Sequence, residues 1–168
     1  MGGLFYGLGS ATRLHLDNNA LTTVENGTFA GLNSVTHLVI SKNKLETIEG
    51  DAFRGLQSLD ALSMTFVGDL TVESKSWHGL DSLSTLYLGS NNITTLERRF
   101  FDGLDGLQQL YMGAQAGSYG ECGPTNIQEG AFEGLDALEY LGAWLWSTGR
   151  NQPNAPTHPT NTSNPTLP

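Results

Sequence analysis

A single cysteine, Cys122, stands in 168 residues, so the chain closes no internal disulfide. Basic residues are scarce: 8 Lys and Arg face 17 Asp and Glu, for a net charge of −9. The clustered basic face that nucleic-acid binding requires is therefore not expected. No run of 18 apolar residues occurs, so no membrane-spanning helix is expected. Met1 to Leu8 is too short for a secretory leader and lacks a basic start. A phosphate loop, a paired metal-ligand motif and a cofactor fingerprint are all missing, and no cofactor is implied.

What the chain has is a period. Phe5, Phe29, Phe53, Trp77 and Phe101 recur every 24 residues, and Phe132 follows after a displacement of 7. Each is followed by Gly-Leu two and three residues on, from Gly7-Leu8 to Gly134-Leu135. A fixed period of this kind marks an array of one supersecondary unit. Leu14, Leu38, Leu62, Leu86, Leu110 and Leu141 share a column. Two residues on come Leu16, Ile40, Met64, Leu88, Met112 and Ala143. The period of two puts both side chains on one face of a short strand. Asn19, Asn43 and Asn91 follow at a turn, where the side-chain amide can bond backbone groups and build a ladder along the array. One unit alone buries too little apolar surface to offset its ordering entropy, so stability must come from neighbours.

These columns resemble the leucine-rich repeat. The pattern L-x-x-L-x-L-x-x-N-x-L is legible in "VTHLVISKNKLETIEGDAFRGL", residues Val35–Leu56. The 24-residue period with Phe-x-Gly-Leu is similar to the typical class of animal extracellular proteins, which includes Toll-like receptors, Slit-like guidance proteins and variable lymphocyte receptors. The resemblance implies an α/β-type solenoid. Its curved stack would carry a short parallel sheet of about six strands on the concave face and mostly coil on the convex face. Residues 1–149 form the expected repeat domain, with incomplete first and last units. Residues 150–168, rich in Pro, Thr and Asn, are expected to be a disordered tail. Val67 replaces the ladder Asn in the third unit and Gln115 in the fifth, and Leu70 sits one place late. Local irregularity is expected there. With no cysteine-rich cap and no leader, the chain reads as a fragment of an extracellular or cell-surface ectodomain.

The concave face is the main candidate site. Phe66, Tyr87, Tyr111, Tyr140 and Trp144 gather toward its C-terminal half, and His15 and His37 lie on its first strands. Tyr and Trp make good binding anchors because they offer large rigid area with a polar tip. Gly89 and Gly113 between them are expected to leave room for an incoming side chain. The insertion "GAQAGSYGECGPT" holds Tyr119 and Cys122 and is a second candidate, since such insertions emerge as loops. Trp144 has an alternative role as a makeshift cap, and the alternative for the insertion is a tolerated surface loop.

Three further features have bland and sharp readings. Glu25, Glu49, Glu73 and Glu97 form a column that is either a solvated acidic edge or a bridge for a divalent cation. His15, Asp17 and Ser41 hold the ingredients of a triad, but an open face offers no oxyanion hole or water exclusion, so no enzyme is expected. Asn26, Asn92 and Asn161 begin N-x-[ST] sequons, which permit glycosylation without establishing it. The expected function is non-catalytic recognition of a protein, with a glycan as the other ligand class. The alternative is a structural spacer or matrix segment with no ligand of its own.

Overall fold

The computed structural model describes residues 4–73, 75–113, 124 and 126–142. The tail, Trp144, Asn161 and the insertion residues Tyr119 and Cys122 lie outside the described residues.

Each Leu-x-Leu column becomes a three-residue strand. These are β1 (Arg13–His15), β3 (His37–Val39), β5 (Ala61–Ser63), β7 (Thr85–Tyr87), β9 (Gln109–Tyr111) and β11 (Tyr140–Gly142). They pair in parallel in the order β1-β3-β5-β7-β9-β11. Register follows the sequence columns: Leu38 opposes Leu14 and Leu62, and Leu86 opposes Leu62 and Leu110. The 24-residue period is thus the crossover length that returns the chain to the same height one strand further along.

The opposite flank carries two-residue strands: β2 (Thr23–Val24), β4 (Thr47–Ile48), β6 (Thr71–Val72), β8 (Thr95–Leu96) and β10 (Asn126–Ile127). The described residues contain no helix; turns connect the two flanks. The short strands fall into two sheets, β2-β4-β6 and β8-β10. Their break lies in the third unit, where the ladder Asn is replaced and Leu70 arrives late. A groove of about 910 Å³ opens there between Asp69–Lys75 and Asn92–Asp102.

The core runs through the middle of the stack. Leu38, Leu62, Leu86 and Leu110 have no exposed surface, and neither do Val35, Leu59, Leu83 and Leu107. Phe5, Phe29, Phe53 and Trp77 stack nearly parallel, with ring centroids 5.8–5.9 Å apart. Phe101 stacks on Phe132 at 5.7 Å. The Trp77 indole N–H, which a phenyl ring would not need to satisfy, donates to the Phe100 carbonyl at 2.8 Å. Burial declines toward the ends of the described stack: Leu4, Leu8, Ile127 and Leu141 are exposed. Each coil is covered by its neighbours, as stacking physics requires.

Left-handed backbone recurs with the same period. Gly27, Asp51, Lys75, Arg99 and Gly130 occupy one such column, at φ values from 57° to 77°. Non-glycine side chains are disfavoured there by roughly 1–2 kcal/mol. Lys75→Gly is therefore expected to raise stability by about 0.5–1 kcal/mol, read as a shift in the urea midpoint. A midpoint that falls would refute the strain argument.

Candidate functional site

On the sheet face, Val39, Ser63, Tyr87, Tyr111 and Gly142 stand in register on adjacent strands. The side chains between the two core leucine columns must point outward, so Tyr87 and Tyr111 face away from the core. Their rings stack at 4.7 Å and 16°. The next position in the column is Gly142, which has no ring to offer. Tyr140, two residues earlier on the same face, fills the gap. Its ring leans over Gly142 and meets Tyr111 at 5.0 Å. A β-carbon at Gly142 would come within 2.9 Å of Tyr140 Cε1 and 3.3 Å of Tyr111 Cδ1. Three strands therefore carry a continuous staircase of phenol rings, which sequence columns alone did not reveal. The signal available was a Gly in the aromatic column with a Tyr two places before it.

The staircase is half in water. Tyr140 is 49% exposed, and Tyr87 and Tyr111 are half-buried. The Tyr111 hydroxyl donates to Gln109 Oε1 at 3.0 Å. Burial raises the pKa of the Tyr87 phenol. Tyr111 is raised too, first by burial and then by repulsion from Tyr87 and Tyr140. At neutral pH both rings are hydrogen-bonding phenols, with no phenolate to repel an anionic group.

A raised phenol pKa means that the folded chain holds its proton to higher pH than the unfolded chain. This contribution to stability is complete below the unfolded value of about 10 and is lost as pH rises through the folded pKa. An alkaline absorbance titration should therefore show tyrosinate forming late in the folded protein. Tyr87→Phe with Tyr111→Phe should remove that late component; its persistence would contradict the assignment.

Gly89 has a different role from the one its size suggests. A β-carbon there would run into the Gly113 carbonyl oxygen. The space beside Tyr87 is taken by the neighbouring strand's backbone, so it is not a slot for a ligand side chain. Close backbone approach is what requires glycine here.

The remaining candidates are dispersed. His15 and His37 sit on β1 and β3 and do not join the staircase; His15 is three strands from Tyr87 along the register. His37 Nδ1 is 2.9 Å from the Thr36 hydroxyl. Phe66 lies just past β5 at φ 56°, in a left-handed column with Asn18, Lys42 and Ser90. Its side chain is half-buried.

Ser41, His15 and Asp17 are not assembled for nucleophilic chemistry. Ser41 Oγ is 2.9 Å from Ser63 Oγ and accepts from the Thr65 N–H at 3.1 Å. His15 Nδ1 lies 3.7 Å from Asp17 Oδ1, both on the exposed edge of the sheet. The glutamate column also has a structural use. Glu49 Oε2 accepts from the Asn26 N–H at 3.0 Å, and Glu73 Oε2 accepts from the Gly50 N–H at 3.3 Å. Gln128 Oε1 does the same for the Arg98 N–H at 3.2 Å, so a neutral amide serves as well as a carboxylate. Among the described residues no cluster of three or more potential metal ligands occurs. Of the sequons, Asn26 and Asn92 are exposed. The Asn92 side-chain nitrogen, the atom a glycan would take, donates to Asp69 Oδ1 at 2.6 Å.

Parallel three-residue strands at a 24-residue pitch, an aromatic spine and an asparagine ladder define a strand-and-turn repeat solenoid with one open sheet face. The leucine rich repeat family matches residues 10–66 and 70–114, and the chain belongs to that family. Among solved structures the chain is similar to a chain of the TLR13–ssRNA13 complex, with 24% identity and a TM-score of 0.53. The match covers 80% of this chain and 22% of the other, so this chain spans about a fifth of that protein's length. A search of curated proteins finds no match. No helix among the described residues is long and apolar enough to cross a membrane.

Proposed function

We propose that this chain is a non-catalytic recognition module from a receptor or adhesion ectodomain, and that it binds a protein ligand on the sheet face. The contact centres on Tyr87, Tyr111 and Tyr140. The observation that carries this reading is the half-exposed three-ring staircase. Rigid aromatic area with a hydroxyl tip is the surface chemistry enriched at binding hot spots. The net charge of −9 favours a basic protein partner over a nucleic acid such as the RNA of the TLR13 complex. The extracellular placement is supported by the repeat class and the TLR-like fold.

The test compares capture from an extracellular protein fraction by the wild-type chain and by Tyr87→Ala/Tyr111→Ala. The variant should keep its thermal midpoint within a few degrees and weaken binding of retained partners by about 1–3 kcal/mol. An identical captured set, with unchanged affinity on titration, removes the sheet-face assignment.

A further inference from the structure

On the far flank, neighbouring coils are tied by the same pair of backbone bonds at three junctions. Glu46 and Glu49 N–H donate to the Thr22 and Val24 carbonyls, Thr71 and Glu73 N–H to Glu46 and Ile48, and Asn126 and Gln128 N–H to Thr94 and Leu96. Among the described residues, the junction between β6 and β8 lacks this pair, in which Thr95 and Glu97 would donate to Leu70 and Val72. Every Cα of β6 lies more than 8 Å from every Cα of β8. The aromatic spine breaks at the same place, between Trp77 and Phe101. Val72 is only half-buried, although Val24, Ile48 and Leu96 in its column are buried.

The gap has the width and the chemistry of one missing strand. Paired strands lie about 4.8 Å apart, and two walls holding a third strand between them lie about 9.6 Å apart. A separation beyond 8 Å is too wide for direct pairing and fits the second case. Backbone groups alternate in direction along a strand. Thr71 and Glu73 N–H point to β4, so the Val72 N–H and carbonyl point into the gap. The Thr94 and Leu96 carbonyls point to β10, so the Thr95 groups enter the gap from the other wall. Both walls thus present main-chain donors and acceptors to an extended peptide, which binds by adding a strand to an open edge. Its inward side chains would meet Leu70, Val72 and Trp77, and its outward ones would lie between Thr71 and Thr95 and between Glu73 and Glu97. Four carboxylates and three basic groups line the gap. Two of the basic groups, Arg98 and Arg99, are already paired, with Nε atoms 3.1 and 3.7 Å from the Glu133 carboxylate. The balance that remains is acidic and favours a basic peptide.

We propose that the gap between β6 and β8 is a second binding site, and that it takes an extended peptide of a partner protein as an inserted strand, with apolar side chains inward and Lys or Arg outward. The site lies on the flank opposite the tyrosine staircase and stands independently of it.

The probe is a synthetic peptide, "TVKVKT", blocked at both ends and titrated into the full ¹⁵N-labelled chain. The amides of Val72, Thr95 and Glu97 should shift and gain protection from hydrogen exchange. The Glu49 amide, already bonded to Val24, should not change. Peptides N-methylated at both valines or at both lysines each lose the donors facing one wall, and each should bind at least about tenfold more weakly. Weakening by only one of the two means addition to a single edge and overturns insertion. The peptide "TVEVET" should bind several-fold more weakly than "TVKVKT". Glu73→Gln/Glu97→Gln should narrow that difference, while the new amide at 73 can still accept the Gly50 N–H. Tyr87→Ala/Tyr111→Ala should bind the peptide as wild type does; loss there moves the peptide to the sheet face and overturns the proposal. No amide response at about 1 mM peptide also overturns it. So does protection of Val72 and Thr95 in the peptide-free chain: kept on dilution, it shows β6 and β8 pairing directly; lost on dilution, it shows a second copy in the gap.

Discussion

Phe53→Ala is expected to destabilise the stack by about 3–5 kcal/mol, the largest effect of any single truncation considered for this chain. Phe53 has no exposed surface. Its ring is sandwiched between Phe29 at 5.8 Å and Trp77 at 5.9 Å, each within 3° of parallel. Removing it deletes its own burial and leaves a void facing two aromatic neighbours, so two inter-unit contacts weaken together. A domain with a total stability of about 5–15 kcal/mol would lose a large share of it. Phe5 supplies the contrast. It stacks on Phe29 at 5.9 Å but is only half-buried, so Phe5→Ala should cost about 1 kcal/mol. Urea denaturation of the two variants checks this. Equal midpoints for Phe5→Ala and Phe53→Ala would mean that the spine contributes little beyond simple burial.

Asn43→Leu should cost about 3–5 kcal/mol despite adding apolar volume to the interior. The Asn43 amide donates to the Leu16 carbonyl at 3.0 Å in the preceding unit and to the Ile40 carbonyl at 2.7 Å in its own. Its carbonyl accepts the Leu21 N–H at 3.0 Å. Leucine would strand three backbone groups in a largely dry interior, at about 1–3 kcal/mol each before relaxation. Asn19 sits in the same column but is exposed, and bonds only Leu16 and Asp17 carbonyls. Water can replace those bonds, so Asn19→Ala should cost less than about 1 kcal/mol. Amide hydrogen exchange gives a second readout: Leu21 should lose protection in Asn43→Leu. Retained protection at Leu21 would contradict the ladder's role in joining units.

These two predictions also mark where sequence reading stops. The aromatic and asparagine columns were legible because a stack repeats its contacts, and repeated contacts leave repeated residues. The columns also located the third unit's irregularity, through Val67 and the late Leu70. They did not say that the irregularity would split the short strands into two sheets. Asn91 shows why: its carbonyl accepts the Val67 N–H at 2.8 Å, so the ladder continues on the sheet side while the other flank parts. Which flank absorbs a one-residue shift depends on packing between units.

The site divides in the same way. Tyr87 and Tyr111 were visible as one column, because a 24-residue spacing and a parallel register are the same statement. Tyr140 belongs to a different column, and only the tertiary structure swings its ring over Gly142. The glycines misled for a related reason. Sequence shows that Gly89 lacks a side chain, but not whether ligand or backbone uses the space. The glutamate column likewise read as an acidic edge until the structure showed Glu49 and Glu73 holding amides of the preceding unit.

The sequence by itself determined the repeat, the strand positions, the buried columns and the outward direction of Tyr87 and Tyr111, because each follows from periodicity along one chain. The tertiary structure decided the continuity of the tyrosine staircase, the occupancy of the glycine gaps, the capping use of the carboxylates and the break on the far flank. Those depend on distances between coils, and a distance across the stack is a property of several units at once that no single column of residues encodes.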